Sequence, residues 1–373
     1  MSAYLDHAAT SPLRPEALAA WTAAAGVVGN PSSLHRPGQR ARAVLEEARE
    51  ELADAVGAHP SEVIFTSGGS EADTIAVLGG WEARRGDRPR CLVSAVEHPA
   101  VLGAVALGAE SVPVGSDGVL DVAAAERLLD DAVGLVSAMA VNNETGVVQP
   151  VDEVVRLARP AGAWVHSDAV QALGHLPVDF GASGLDLMSL SAHKIGGPVG
   201  VGALLARREV TPRAVGLGGG QEREARSGTV PVALAASFAR AAALAVGELS
   251  TEASRLAALR DRIAAIATGV GGRLNSGPDG APHIVNVTFD GVRADDLLFL
   301  LDQRGVHASV GSACRAGVHQ PSEVLLAMGR TADEATQSVR FSLGRTSTDA
   351  DVELLAAALP EALARARVAA ASS

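Results

Sequence analysis

Between residues 62 and 208, short β-branched runs recur at similar intervals, and most end in side chains able to do chemistry. The runs are "EVIFTS" (62–67), "CLVSAVEH" (91–98), "SVPV" (111–114), "GLVSAMAVNNE" (134–144), "AWVHSDA" (163–169), "LDLMSLSAHK" (185–194) and "VGALLARR" (201–208). Helical patterns lie between several of them, among them "SEADTIAVLGGWEAR", "LDVAAAERLLDDA" and "PVDEVVRLARPAG". Strands alternating with helices predict an α/β fold with a mainly parallel, doubly wound sheet. From about 231 to 268 the pattern turns long, helical and alanine-rich, and reads as a connector. Beyond it, "PHIVNVTFDG", a helix from Asp295, "VHASVGSAC" and "SVRFSLG" predict a smaller α+β domain. A chain of 373 residues accommodates two such domains.

Ligands of open α/β sheets sit outside the carboxyl ends of the strands. Those ends carry Thr66-Ser67-Gly68-Gly69-Ser70, Glu97-His98, Asn142-Asn143-Glu144, Asp168 with Gln171 three residues on, and Ser191, His193 and Lys194. Five polar ends in series are hard to attribute to solvated loops. Residues 66–70 form a Gly/Ser-rich strand-to-helix turn, suited to phosphate or simply to a tight connection. Lys194 is the only lysine; the other thirty of the 31 Lys and Arg residues are arginine. GC-rich coding would leave a lysine somewhere by chance. Yet a buried lysine can lose its proton and become a nucleophile, which arginine cannot. A phosphate cup, a late lysine and an aspartate at a strand end are together the parts that pyridoxal phosphate requires.

Charge and composition narrow the partners. The net charge of −12 and pI near 5.3 argue against a general nucleic-acid or anionic-membrane surface. No stretch reads as a membrane span or secretory signal. Two cysteines, Cys91 and Cys314, form no disulfide framework, so a cytoplasmic protein with reduced thiols is expected. Cys91 starts a strand and reads as core. Cys314 lies in "HASVGSACRAGVHQPSEV", a Gly/Ser/Ala-rich stretch that reads as a flexible exposed loop.

Ten ordered segments carry a resemblance from residue 4 to about 348. They are "YLDHAATSP", "GNPSSLHRPG", "FTSGGSEAD", "EHPAV", "VNNETGVVQP", "SDAVQALG", "SLSAHKIGGPVGVGAL", "GGGQEREARSGT", "GSAC" and "VRFSLGR". This series resembles the cysteine desulfurases, which are class V, fold-type I pyridoxal-phosphate enzymes, and within them the NifS/IscS-like group. The resemblance implies a large cofactor-binding domain over residues 15–250. A small domain, from residues 1–14 and 251–373, would carry the Cys314 loop. It implies removal of sulfur from L-cysteine, giving L-alanine and a persulfide on Cys314 that passes to an acceptor protein. An iron–sulfur scaffold, a tRNA-thiolation enzyme, a DNA-sulfur system and a thio-cofactor pathway are the acceptor types considered. Other class V activities, an aminotransferase or a selenocysteine lyase, are the alternatives within the class; a non-catalytic scaffold is the alternative outside it.

The resemblance also assigns roles. Lys194 would attach the cofactor and move protons, and Asp168 would pair with the pyridine nitrogen. Gln171 would hydrogen-bond the phenolic oxygen, and His98 would stack on the ring. Gly69, Ser70, Ser191 and His193 would surround the phosphate, with Thr229 reaching it from the second subunit of a homodimer. Asn143 and Arg340, helped by Asn30, would hold the substrate carboxylate. Cys314 would be the nucleophile. Gly69-Ser70 stands where Ala-Thr is usual, His7 and Thr74 where asparagines are common, and Arg315-Ala316 where Thr-Ser follows the cysteine.

Overall fold

The computed structural model describes residues 2–277, 279–311 and 320–370. Seven strands form the main sheet, in the order Val63–Thr66, Gly202–Ala206, Leu187–Ser191, Trp164–Asp168, Val133–Ser137, Arg90–Ser94, Glu110–Val112. Four of the six pairings are parallel. Gly202–Ala206 runs against both its neighbours, which breaks the parallel pattern. The reason is chain length. Only residues 192–201 link it to Leu187–Ser191, too short for the helical crossover that a parallel return needs.

The central strands are buried on both faces, as expected of a sheet covered by helices on both sides. On one face, Leu45, Leu52, Phe65, Val136, Phe180 and Phe238 belong to one apolar cluster. On the other, Ile64, Ile75, Val77, Val93, Leu135 and Leu204 form a second. With few aromatics available, alanine does much of the close packing: Ala235, Ala239, Ala241 and Ala242 lie in the first cluster.

The long helical stretch is two helices rather than one connector. Val232–Gly247 packs into the main core, and Leu249–Gly269 joins the core of the C-terminal part. They meet at 73°. No single helix among the described residues is long and apolar enough to cross a membrane; only this bent pair, taken together, has the length and composition.

The C-terminal part is built on Ile284–Thr288, paired antiparallel with Ser338–Ser342 and Arg273–Leu274. The chain's start joins it. Ala3–Tyr4 pairs with Val306–His307, and Ala3 and Leu5 sit in the same core as Val287, Phe341 and Leu359. That pairing carries Ala8 and Ala9 to the carboxyl ends of the main strands.

Candidate active site

A cleft of about 400 Å³ opens between the carboxyl ends of the main strands and the C-terminal part. Lys194 ends a short helical turn after Leu187–Ser191 and projects into it. Its Nζ donates to the carbonyl oxygens of Ala8 at 2.6 Å and Ala9 at 2.9 Å. Burial, then the nearby Arg340 guanidinium, pulls its pKa down to about 8; Asp168 and Asp6 oppose this. A lysine held there is a usable nucleophile near neutral pH.

Asp168 ends strand Trp164–Asp168 and is buried. Its Oδ1 accepts from the Val170 amide at 2.8 Å. Burial raises its pKa, and His98, the Val170 amide and Lys194 pull it back. His98 caps helix Pro99–Leu102, its Nδ1 accepting from the Ala100 amide at 3.1 Å, and burial lowers its pKa. Gln171 donates through Nε2 to the Ala8 carbonyl at 2.9 Å.

At the other end of the cleft, Gly69 and Ser70 open the helical run Gly69–Arg84, which contains a π segment at Ile75–Gly79. A Cβ on residue 69 would come within 2.8 Å of Val170 Cγ2, so glycine lets the backbone approach closely. Ser191 lines the cleft with a buried hydroxyl that has no hydrogen-bond partner among the described residues. His193 is tied by Nδ1 to Thr10 Oγ1 at 3.2 Å, and burial brings its pKa to about 4. Arg340, on Ser338–Ser342, donates to the Asn143 carbonyl at 2.7 Å and to Asp6 Oδ1 at 2.7 Å.

The cleft therefore gathers Gly69, Ser70, His98, Asn143, Asp168, Gln171, Ser191, His193, Lys194 and Arg340. Asn143 meets Arg340 through its backbone carbonyl. Asn30 and Thr229 do not line the cleft of their own chain; both are exposed, and Asn30 Oδ1 accepts from the Ser32 amide at 2.9 Å. Cys314 and Arg315, with the glycine- and alanine-rich stretch around them, lie outside the described residues. Of the flanks, Gly311 lines the cleft beside Glu144, and Ser322 donates to Glu144 Oε2 at 2.5 Å.

Around Glu97, several participants carry no sequence signal of their own. Beneath Asp168 runs a buried chain. Ser137 Oγ donates to Glu97 Oε1 at 2.9 Å, and His166 spans Ser137 and Ser189 at 2.9 Å each. Asp73 Oδ1 lies 3.7 Å from His166 Nε2. Burial and Asp168 push the Glu97 carboxyl up to about 8 and raise Asp73 as well. Burial thus favours the protonated form of all three carboxyls, and only Asp168 is drawn back by the nearby His98 and Lys194. The Ala8 and Ala9 carbonyls were likewise invisible in the sequence, because any residue supplies a carbonyl.

Comparison with known proteins places this geometry. The aminotransferase class-V family matches over residues 3–355. The chain is 48% identical to an IscS-like cysteine desulfurase of Mycobacterium tuberculosis, covering 99% of this chain and 98% of that one. Among solved structures, a NifS-like protein superposes with a TM-score of 0.91 at 33% identity, covering 98% of this chain and all (100%) of the other. SspA in complex with cysteine superposes with a TM-score of 0.81 at 30% identity, covering 93% and 100%.

Proposed function

We infer the chemistry of this cleft from one premise: the chain belongs to the aminotransferase class-V family, and within it to the NifS/IscS-like cysteine desulfurases. It is an enzyme that takes sulfur from L-cysteine. The class is pyridoxal-phosphate dependent, and we place that cofactor in the cleft of Lys194. One observation carries the placement. The sole lysine, a buried aspartate, a glutamine amide and an unpartnered serine hydroxyl converge on one cavity. Lys194 fits the aldehyde, Asp168 the pyridine nitrogen, Gln171 the phenolic oxygen. Gly69, Ser70, Ser191 and His193 fit the phosphate.

Bound pyridoxal phosphate supplies an electron sink for bonds at the substrate's carbon skeleton. The protein does the rest. Asp168 would pair with the ring nitrogen, drawn toward its charged form by the nearby His98 and Lys194. Lys194, with a pKa near 8, moves protons at the substrate α-carbon, and His98 lies close enough to share that work. Arg340 holds the substrate carboxylate through its planar fork, with Asn143 beside it. Cys314 attacks the substrate sulfur as thiolate. The C–S bond breaks, an S–S bond forms, and the product carbon is protonated to L-alanine.

Thr229 is exposed on its own chain, as a residue serving a second subunit must be, and Val28, Leu34, Val199, Val215 and Leu217 leave apolar surface exposed. We place Thr229 in the partner's phosphate site of a homodimer. The persulfide then passes to a sulfur-acceptor protein in a thiol-reducing cytoplasm. Incubating the enzyme with pyridoxal phosphate, L-cysteine and a reductant should yield L-alanine and sulfide in equal amounts. A keto acid in their place would overturn the reading.

A further inference from the structure

Three buried histidines, His7, His175 and His283, stand behind the cleft, and none has a role in the chemistry above. His283 precedes strand Ile284–Thr288 in the C-terminal part; His175 follows Gln171 in the main one. Their rings stack, with centroids 3.6 Å apart and planes 10° from parallel. His283 Nε2 lies 3.2 Å from Gln171 Oε1.

Donor and acceptor counting fixes the arrangement. The Ala8 carbonyl can only accept, so the Gln171 NH2 group must face it, at 2.9 Å. Gln171 Oε1 therefore faces His283, and a carboxamide oxygen can only accept. His283 must then carry its proton on Nε2. Its Nδ1 is buried with no partner among the described residues, so nothing there competes for that proton. Burial, with His175, Arg340, His7 and Arg260 facing it, keeps the ring neutral. One N–H is thus available, and it points at Gln171. The second hydrogen of the Gln171 NH2 group is left for the cleft.

We propose that His283 is a positioning residue: its Nε2–H locks the Gln171 carboxamide so that the NH2 group serves both the Ala8 carbonyl and the cofactor's phenolic oxygen. This rests on the assignment of pyridoxal phosphate to the cleft. Without the lock, the amide is free to turn, and its oxygen would face an oxygen. The stack on His175 holds the imidazole in plane across the junction of the two parts of the fold.

The test compares Gln171→Leu, His283→Met, the double variant and His283→Gln, whose amide nitrogen can replace Nε2. Two readouts are taken: the pH midpoint of the cofactor's visible band, and the affinity of the apoprotein for pyridoxal phosphate. A donor at the phenolic oxygen favours the less protonated cofactor. Gln171→Leu and His283→Met should each raise the midpoint by about half a pH unit and weaken affinity about fivefold. The double variant should add nothing to either single change, and His283→Gln should restore both readouts. If Gln171→Leu moves the readouts and His283→Met lowers only the melting temperature, the proposal is overturned. A His283→Gln protein that behaves like His283→Met overturns it too. If Gln171→Leu moves neither readout, the assignment of Gln171 itself fails. Should His283→Met not fold, His283→Leu, which fills the space and likewise has no donor, is read the same way.

Discussion

Lys194 shows why arginine, used at every other cationic position, could not serve here. The two carbonyls of Ala8 and Ala9 would still bind a guanidinium, but the site needs an amine that gives up its proton. Lys194→Arg should abolish the yellow band that pyridoxal phosphate gives with the wild type. Borohydride reduction of the wild-type complex should label one peptide, that of residue 194. The depressed pKa has a direction that can be checked. Between about 8 and 10.5 the unfolded lysine is protonated and the folded one is not, so apoprotein stability rises with pH across that window. Cofactor uptake by the apoprotein should accelerate with pH and level off above about 8, and Arg340→Leu should move that midpoint upward. Cys314→Ala should still bind cofactor and substrate while sulfide release falls at least about 100-fold. Arg315→Glu should slow alkylation of Cys314 at neutral pH, since a cation beside a thiol favours thiolate.

At the scale of elements, the strand ends position the site and the junction near residue 248 holds it together. The half-exposed Glu248 binds the buried Arg14, with Arg14 Nη1 2.9 Å from Glu248 Oε2. Arg14 in turn donates through Nε to the Ile195 carbonyl at 3.0 Å, one residue past Lys194. Glu248→Ala leaves a buried guanidinium half-satisfied beside the lysine turn. It should cost about 1–2 kcal/mol of stability, less than a fully buried pair because Glu248 is open to water; chemical denaturation would measure it. The strand pattern was legible because a strand buried on both faces reads as a mostly apolar run whatever its direction, as "VGLVS" and "GALLA" do. The reversed direction of Gly202–Ala206 was not legible from its residues. Only the short connection before it sets that direction.

Across the whole molecule, buried titratable groups pull stability in opposite directions with pH. Burial lowers His175 to about 4, so from pH 6.5 downward the unfolded chain binds the extra proton and stability falls. Burial raises Glu97 to about 8, so from about 4.5 upward the folded chain keeps a proton that the unfolded one loses, and stability falls in that direction. His175→Phe, which keeps a ring in the stack, should therefore gain on the wild type as pH drops toward 4. Glu97→Gln should gain on it as pH rises toward 8. Each difference should grow by about 1 kcal/mol per pH unit, read from denaturant midpoints. Dilution that splits the dimer should loosen the cofactor if Thr229 completes the partner's site, and Thr229→Ala should weaken cofactor retention without changing the monomer's melting temperature.

The sequence by itself determined the class of sheet and which strand-end side chains gather at the cleft. Strand periodicity is local, and the functional side chains sit at strand ends, where position along the chain already implies position in space. Lys194, Asp168, Gln171 and His98 were readable for that reason. Tertiary structure alone decided what surrounds them. The carbonyls of Ala8 and Ala9 reach Lys194 only because Ala3–Tyr4 joins a strand some three hundred residues away. Asp73, Glu97 and His166 become one network only when three strands and a helix meet beneath Asp168. His283 comes to face Gln171 across 112 residues of chain. Such contacts are set by packing between elements, and no spacing within one element encodes them.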